Sequence, residues 1–262
     1  MDLYIALRVL ECLLATSLLI QSLEFLRIRH FSDAQAVWSW DVQKTDVAHA
    51  PAWLRHLFDW LYQERVHRLH LLLRAGAAAS LYVGVSLTSS LFLFVSTLLI
   101  LIRWRGAFNG GSDFMTLVVL TGVLISQLAQ PFVGAVLAWK AGLWYITIHS
   151  ITSYFISGAI KLLQPEWRDG RILTHFLEGG LHGPLPDDSL FRHRGIAIAA
   201  SWSFIVWECL FPLALAGPHW ALLWCSVAAV FHLLVFRFFG LNRFVWAWIA
   251  SFPAIVYCSG QW

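Results

Sequence analysis

Residues 142–163 read GLWYITIHSITSYFISGAIKLL. Apolar runs of about 17–25 residues match the hydrocarbon thickness of a bilayer when helical. The stretch therefore reads as a membrane-spanning helix, and its single formal charge is Lys161. An ammonium near hydrocarbon costs about 3 kcal/mol on insertion scales. Such a group snorkels to the interface, pairs with an acid, or does chemistry.

Helical geometry sets the surroundings of that charge. At about 100° per residue, Thr147, Ser150, Tyr154, Ser157 and Gly158 fall within about 60° of Lys161. Ile148, Ile151, Phe155, Ile156, Ile160 and Leu162 fill most of the remainder. A polar, small-residue stripe on an apolar helix faces protein or a cavity, not lipid. Ser157 and Gly158 are expected to leave space beside the ammonium, and Tyr154 offers a hydroxyl. His149 lies about 120° away and is a poorer partner. Lys161 is one turn from Pro165, so snorkelling stays open. Desolvation would lower its pKa and make a neutral base available.

Composition agrees with the membrane reading. Of 262 residues, 59% are hydrophobic and 13% charged. Soluble domains carry about 25% charged residues, so that class is excluded. Fifteen Trp and nineteen Phe suit aromatic belts at membrane interfaces. The net charge of +3 gives no case for nucleic acid.

Spanning runs fall near 3–26, 68–86, 88–103, 113–131, 142–163, 195–216, 219–239 and 244–260. The expected fold is an all-α, polytopic integral membrane bundle of seven or eight transmembrane helices. It forms a single membrane domain over 1–262. The first run lacks a basic leading region and a small-residue cleavage site, so it is expected to be retained. Residues 27–67 mix Trp with charge and read as interfacial amphipathic helices. Residues 164–194 are rich in Gly and Pro and read as a loop with at most a short helix. With eight spans, fourteen Lys and Arg fall on one side and only Lys140 on the other. The basic side is expected to be cytoplasmic, in a bacterial inner membrane.

Other buried polar groups need partners. Glu208, in WECLFPLALAG, has Ser201 two turns earlier on the same face. It suits Lys161 or an arginine as counter-ion, or it stays protonated and hydrogen-bonded. Arg8 and Glu11 sit three apart, at pairing distance. His232 has Cys225, Ala228 and Ala229 beneath it, which suits a helix–helix hydrogen bond more than a ligand. Ser126, Gln127 and Gln130 read as interhelical bonding groups. Glu64, His67 and His70 have the i, i+3 spacing of a bundle metal site. They lack a second half, and Arg65 and Arg68 interleave, so no metal is expected. Cys12, Cys209, Cys225 and Cys258 form no CxxC pair and read as small buried hydrophobes.

Some of these residues carry a family resemblance. Tyr154-Phe155-Ile156-Ser157-Gly158-Ala159-Ile160-Lys161-Leu162, with Trp167 and Gly170, resembles the membrane core of vitamin K-dependent gamma-glutamyl carboxylase. More broadly it resembles the horizontally transferred transmembrane (HTTM) domain family. Phe231-His232 through Phe239, then Ala250-Ser251-Phe252-Pro253, is similar to a second carboxylase run. Asn109-Gly110-Gly111-Ser112 is a third match. The resemblance spans about 70–258.

The resemblance implies that Lys161 is the base for a reduced quinone, vitamin K- or menaquinone-like. In the carboxylases the quinol reacts with oxygen, a strong base forms, and a peptide Glu loses its γ-proton before carbon dioxide adds. Glu208 and His232 join Lys161 as the implied catalytic set. Asn109, Tyr154, Ser157 and Gly158 are implied quinone contacts. The family histidine is replaced by Gly111, and nothing in 1–262 reads as the large docking domain. Charge counting also puts Lys161 near the cytoplasmic face, whereas the animal enzyme works from the lumen.

Two functions follow from the sequence. One is a carboxylase-like enzyme (lyase or ligase type) that uses an intramembrane lysine base on a quinol- or lipid-linked substrate. The other is a non-catalytic membrane subunit, a maturation or assembly partner of a larger complex. The bilayer is a partner in both, with a peptide or protein substrate or a complex partner beside it.

Overall fold

A computed structural model describes residues 1–28, 38–104 and 110–261. Among them every regular element is helical. The chain runs through α1 (Leu3–Arg27), α2 (Trp40–Gln43), α3 (Ala52–Leu61), α4 (Glu64–Ser80), α5 (Leu87–Arg103) and α6 (Gly110–Val133). It continues through α7 (Ala135–Leu163), α8 (Pro165–Arg168), α9 (Arg171–Glu178), α10 (Arg194–Cys209), α11 (Pro218–Phe239), α12 (Asn242–Ile249) and α13 (Phe252–Cys258).

Four helices are long and apolar enough to cross a membrane: Leu3–Arg27, Gly111–Val133, Ala135–Leu163 and Pro218–Phe239. That is fewer than the seven or eight expected, and the differences have local causes. At 17 residues, α5 is about 25 Å long and falls just short of a full span. The run expected at 195–216 is helical only to Cys209, then tightens into a 3-10 turn at Phe211–Ala216. Pro212 there has no N–H for a continuing α-helix. The run expected at 244–260 breaks at Ser251 into α12 and α13, with a proline in the first turn of α13. α7 starts at Ala135 rather than 142, directly after Gly134, which takes φ 80° and ends α6.

Residues 164–194 are more helical than expected, with α8, α9 and a 3-10 turn at Leu190–Arg192. α9 buries Leu173 and Leu177 on one face. Gly170 precedes it at φ 79°, and a Cβ there would lie 2.7 Å from the Ala197 backbone. Only glycine fits both constraints.

The chain divides into two compact units, 7–142 and 143–262 with 1–6. In the first, α4 packs on α5 and α5 on α6. Its interior holds Arg74, which is fully buried. The guanidinium donates to Gln21 Oε1 at 2.5 Å, Thr97 Oγ1 at 2.9 Å and Ser96 Oγ at 3.2 Å. Gln21 in turn donates to Asp113 at 3.3 Å, and His70 Nε2 meets Ser96 Oγ at 2.7 Å. Arg8 pairs with Glu11, as its spacing predicts, and also donates to the Tyr82 carbonyl at 2.6 Å. Among the described residues Ser126 does not bond across helices. Its hydroxyl returns to the Gly122 carbonyl at 2.9 Å, one turn back. Glycines bring α6 and α7 together instead: a Cβ on Gly142 would lie 2.3 Å from Gly122 O.

In the second unit, α10 packs on α8 and α9, and α11 packs on α12 and α13.

Candidate functional site

The site lies in the 143–262 unit. On α7 the predicted stripe does face protein: Thr147 and Ser150 are fully buried, Tyr154 nearly so, and Gly158 is buried. His149 is exposed. At the end of the stripe the Lys161 ammonium donates to Glu208 Oε2 at 2.6 Å, on α10. It also donates to Ser157 Oγ at 2.6 Å, one turn back. Ser157 completes the triangle by donating to Glu208 Oε1 at 3.3 Å. The Trp167 ring lies under the ammonium, 5.3 Å from Nζ to its centroid. Ser201, also on α10, donates to the Trp167 carbonyl and fixes α8 against α10.

Burial across the pair is uneven. The Glu208 side chain is 3% exposed and that of Lys161 15%. The Glu208 side chain is enclosed, while that of Lys161 keeps part of its surface open.

Gly158 sets how closely the helices meet. A Cβ there would lie 2.6 Å from Cys209 N and 2.8 Å from Glu208 Cβ. The expected free space beside the ammonium is therefore taken by α10. The small residues of the stripe let two backbones touch, and that contact brings the carboxylate within reach of the amine.

Tyr154 lies two turns before Lys161 on the same helix. Its hydroxyl is 2.6 Å from His232 Nε2, on α11. The pair sits in an aromatic box. Phe211 stacks on Tyr154 at 4.0 Å, Trp248 lies 4.5 Å from Tyr154, and His232 stacks on Trp248 at 5.1 Å. Trp207, the neighbour of Glu208, packs edge-on to Tyr154 at 5.3 Å. The sequence-based partner type for His232, a helix–helix hydrogen bond, is the one found.

The implied quinone contacts do not frame a cleft. Tyr154 is spent on His232 inside the box, Gly158 lies against α10, and Ser157 is bonded within the triangle. Asn109 lies outside the described residues. These side chains do not fit a ring-sized cofactor.

Nothing in the sequence singles out Trp167 as a cation–π partner or the ring set around Tyr154. Trp167, Trp207 and Trp248 stand out only as abundant tryptophans, and aromatic content alone does not say which rings meet.

A second polar locus in this unit is a groove of about 650 Å³ beside α9 and the start of α10. Arg171 pairs with Asp169 at 2.7 Å and Arg192 with Glu178 at 2.9 Å. Hydrogen bonds from the Arg171 backbone and guanidinium hold the Asp169 carboxyl below its ordinary value. The groove thus satisfies most of its own charge.

In comparisons with known proteins, no family model matches the chain, no curated protein is similar to it, and no solved structure resembles it at a significant level.

Proposed function

We propose that the chain is an integral membrane enzyme that moves a proton through the Lys161–Glu208 pair on a lipid-like substrate. The observation that carries this reading is the pair itself, with an enclosed acid and a lysine side chain that is partly open. A buried ion pair is weak as a stabilising device, because desolvating two charges offsets most of their attraction. An ionisable residue on a membrane helix is by default a functional group.

The chemistry balances within the pair. Glu208 takes a proton from the ammonium along the 2.6 Å hydrogen bond, which leaves a neutral amine. That amine accepts a proton from a substrate C–H or O–H approaching from the open side. The new ammonium gives a proton to water at the exposed side of Lys161, and the amine takes back the proton held by Glu208, so the ion pair reforms. The resemblance to the carboxylase core supports Lys161 as the base and leaves the substrate to experiment. In this reading α5, α10 and α12–α13 join the four long spans in a bundle of seven. The Arg-rich loops lie in the cytoplasm of a bacterial cell.

The test joins chemistry to folding. Lipids and quinones that co-purify with the protein are identified by mass spectrometry, with Lys161→Ala as control. A small molecule held by the native protein and lost in a folded Lys161→Ala variant supports the enzyme. A stoichiometric protein partner with no small molecule overturns it.

One observation favours a second reading, a non-catalytic membrane subunit. Two of the three ammonium hydrogens already have acceptors, and α10 closes the Gly158 face. In that case the pair is an interhelical tie. Removing both charges should then be far milder than removing either one.

A further inference from the structure

The groove beside α9 and the start of α10, about 650 Å³ in volume, takes no part in the lysine–glutamate chemistry. Its lining brings three guanidiniums, those of Arg171, Arg192 and Arg194, to two carboxylates, those of Asp169 and Glu178. These groups are unequally committed, and the difference locates an unused charge.

Both acids are saturated. Asp169 accepts from the Arg171 backbone N–H at 3.1 Å and from Arg171 Nε at 2.7 Å, one bond to each oxygen. Glu178 accepts from the Leu185 backbone N–H at 3.1 Å and pairs with Arg192 at 2.9 Å, again through different oxygens. Arg192 is saturated too, since its other nitrogens donate to the carbonyls of Pro186 and Leu185.

Two cations keep capacity. Arg171 meets Asp169 through Nε alone, and its side chain is 70% exposed. The exposed Arg194 side chain makes no hydrogen bond or ion pair among the described residues, and acts on Asp169 only at a distance. Three guanidiniums against two carboxylates leave one positive charge, and Arg194 is the member without a partner.

The anion that complements this groove carries one negative charge and oxygens for donors on Arg171 and Arg194. A phosphodiester has that charge and suits the planar guanidinium fork. A phosphomonoester approaches two negative charges at neutral pH, which is one more than the groove offsets.

Location gives the source. α7 is long and apolar enough to cross a membrane and runs to Leu163, and α8 and α9 follow it directly. The groove therefore lies where a span leaves the bilayer. Next to its lining residues in sequence, Phe176, Leu181 and Leu190 are each more than half exposed. Bases interspersed with exposed apolar side chains are typical of a surface at headgroup depth.

We propose that this groove binds the phosphodiester of an acidic phospholipid of the phosphatidylglycerol type. Arg194 and the terminal nitrogens of Arg171 donate to the phosphate oxygens, while Phe176, Leu181 and Leu190 meet the apolar part of the lipid. A zwitterionic lipid is disfavoured, because its own ammonium is repelled by the same arginines.

The test uses the full chain in a neutral detergent. Short-chain phosphatidylglycerol, phosphatidylcholine of the same chain length and soluble glycerophosphoglycerol are titrated by calorimetry. Saturable binding of phosphatidylglycerol is expected, weaker at high salt, with the other two probes binding several-fold more weakly. Arg194→Gln should weaken phosphatidylglycerol by about fivefold, the scale of one basic side chain at an anionic surface. Arg194→Lys keeps the point charge and should keep most of the binding. Arg65→Gln, an exposed arginine on α4, should change nothing. The comparison of probes on the native chain decides the matter even if Arg194→Gln fails to fold. Absence of saturable binding overturns the proposal. So does phosphatidylcholine or the soluble headgroup binding as tightly as phosphatidylglycerol. Equal effects of Arg194→Gln and Arg65→Gln, or of Arg194→Gln and Arg194→Lys, overturn it as well.

Discussion

The Tyr154 hydroxyl lies 2.6 Å from His232 Nε2 and ties α7 to α11. Tyr154 is 3% exposed and His232 fully buried, with aromatic rings on most sides. A polar bond in such a place fixes geometry, because breaking it exposes two polar groups to an apolar surround. The helix it anchors is the one that carries Lys161, two turns further on.

Tyr154→Phe keeps the ring stacking on Phe211 and deletes only the hydroxyl. The imidazole is left unsatisfied, at a cost of about 1–3 kcal/mol. Equilibrium unfolding in mixed micelles measures this. A variant as stable as the native chain would mean that the hydrogen bond contributes nothing.

Gly158→Ala places a methyl group 2.6 Å from Cys209 N. α7 and α10 must then separate, with an overpacking penalty of roughly 1–3 kcal/mol and a longer Lys161–Glu208 distance. Gly76→Ala is the control, because nothing lies within 4 Å of its added carbon. In the middle of α4 it should be stabilising, by about 0.5–1 kcal/mol. If the two variants behave alike, close helix approach is not the role of Gly158.

Arg74→Ala removes the centre of the Gln21, Ser96 and Thr97 bonds. Several buried polar groups lose their partner together, so a loss of roughly 3 kcal/mol or more is expected. Arg65→Ala, on the exposed face of the same helix, should stay within about 0.5 kcal/mol of native. Comparable losses in both would argue that helix propensity, not the buried network, is being measured.

Stability should fall in mild acid because of His67. Burial, with Arg103 and His70 adding repulsion, lowers its pKa from the ordinary 6.5 to about 3. Above pH 6.5 the imidazole is neutral in both folded and unfolded chains, and nothing is lost. Between 6.5 and about 3 the unfolded chain binds a proton that the folded chain refuses. Folding is therefore progressively disfavoured as pH drops through that window. Unfolding temperatures of the native chain and His67→Phe, compared at pH values on either side of 6.5, check this. The native chain should lose more on acidification, and equal losses would exclude His67 as the source.

The helical class and the approximate limits of α1, α5, α6 and α11 were legible because runs of apolar residues report helices directly. The inward face of α7 was legible for a related reason, since 3.6-residue periodicity puts Thr147, Ser150, Tyr154 and Ser157 on one side. Breaks inside apolar runs were harder to see. Pro212 and Ser251-Phe252-Pro253 interrupt segments whose hydropathy stays high, and hydropathy averages over such interruptions. The reading of Gly158 as room for a ligand failed because a missing side chain looks the same whether a substrate or a backbone fills the gap.

By itself, the sequence determined that this chain is helical and apolar enough for a membrane, and that Lys161 lies on a polar face. Those properties depend on composition and on neighbours within a few turns. Only the tertiary structure decided that Lys161 meets Glu208, 47 residues away, and Tyr154 meets His232, 78 residues away. Only the fold left the ring of His67 buried without a hydrogen-bond partner among the described residues. Partner choice depends on how closely helix backbones approach and at what height along their axes. Such packing is a property of pairs of helices, and no single helix encodes it.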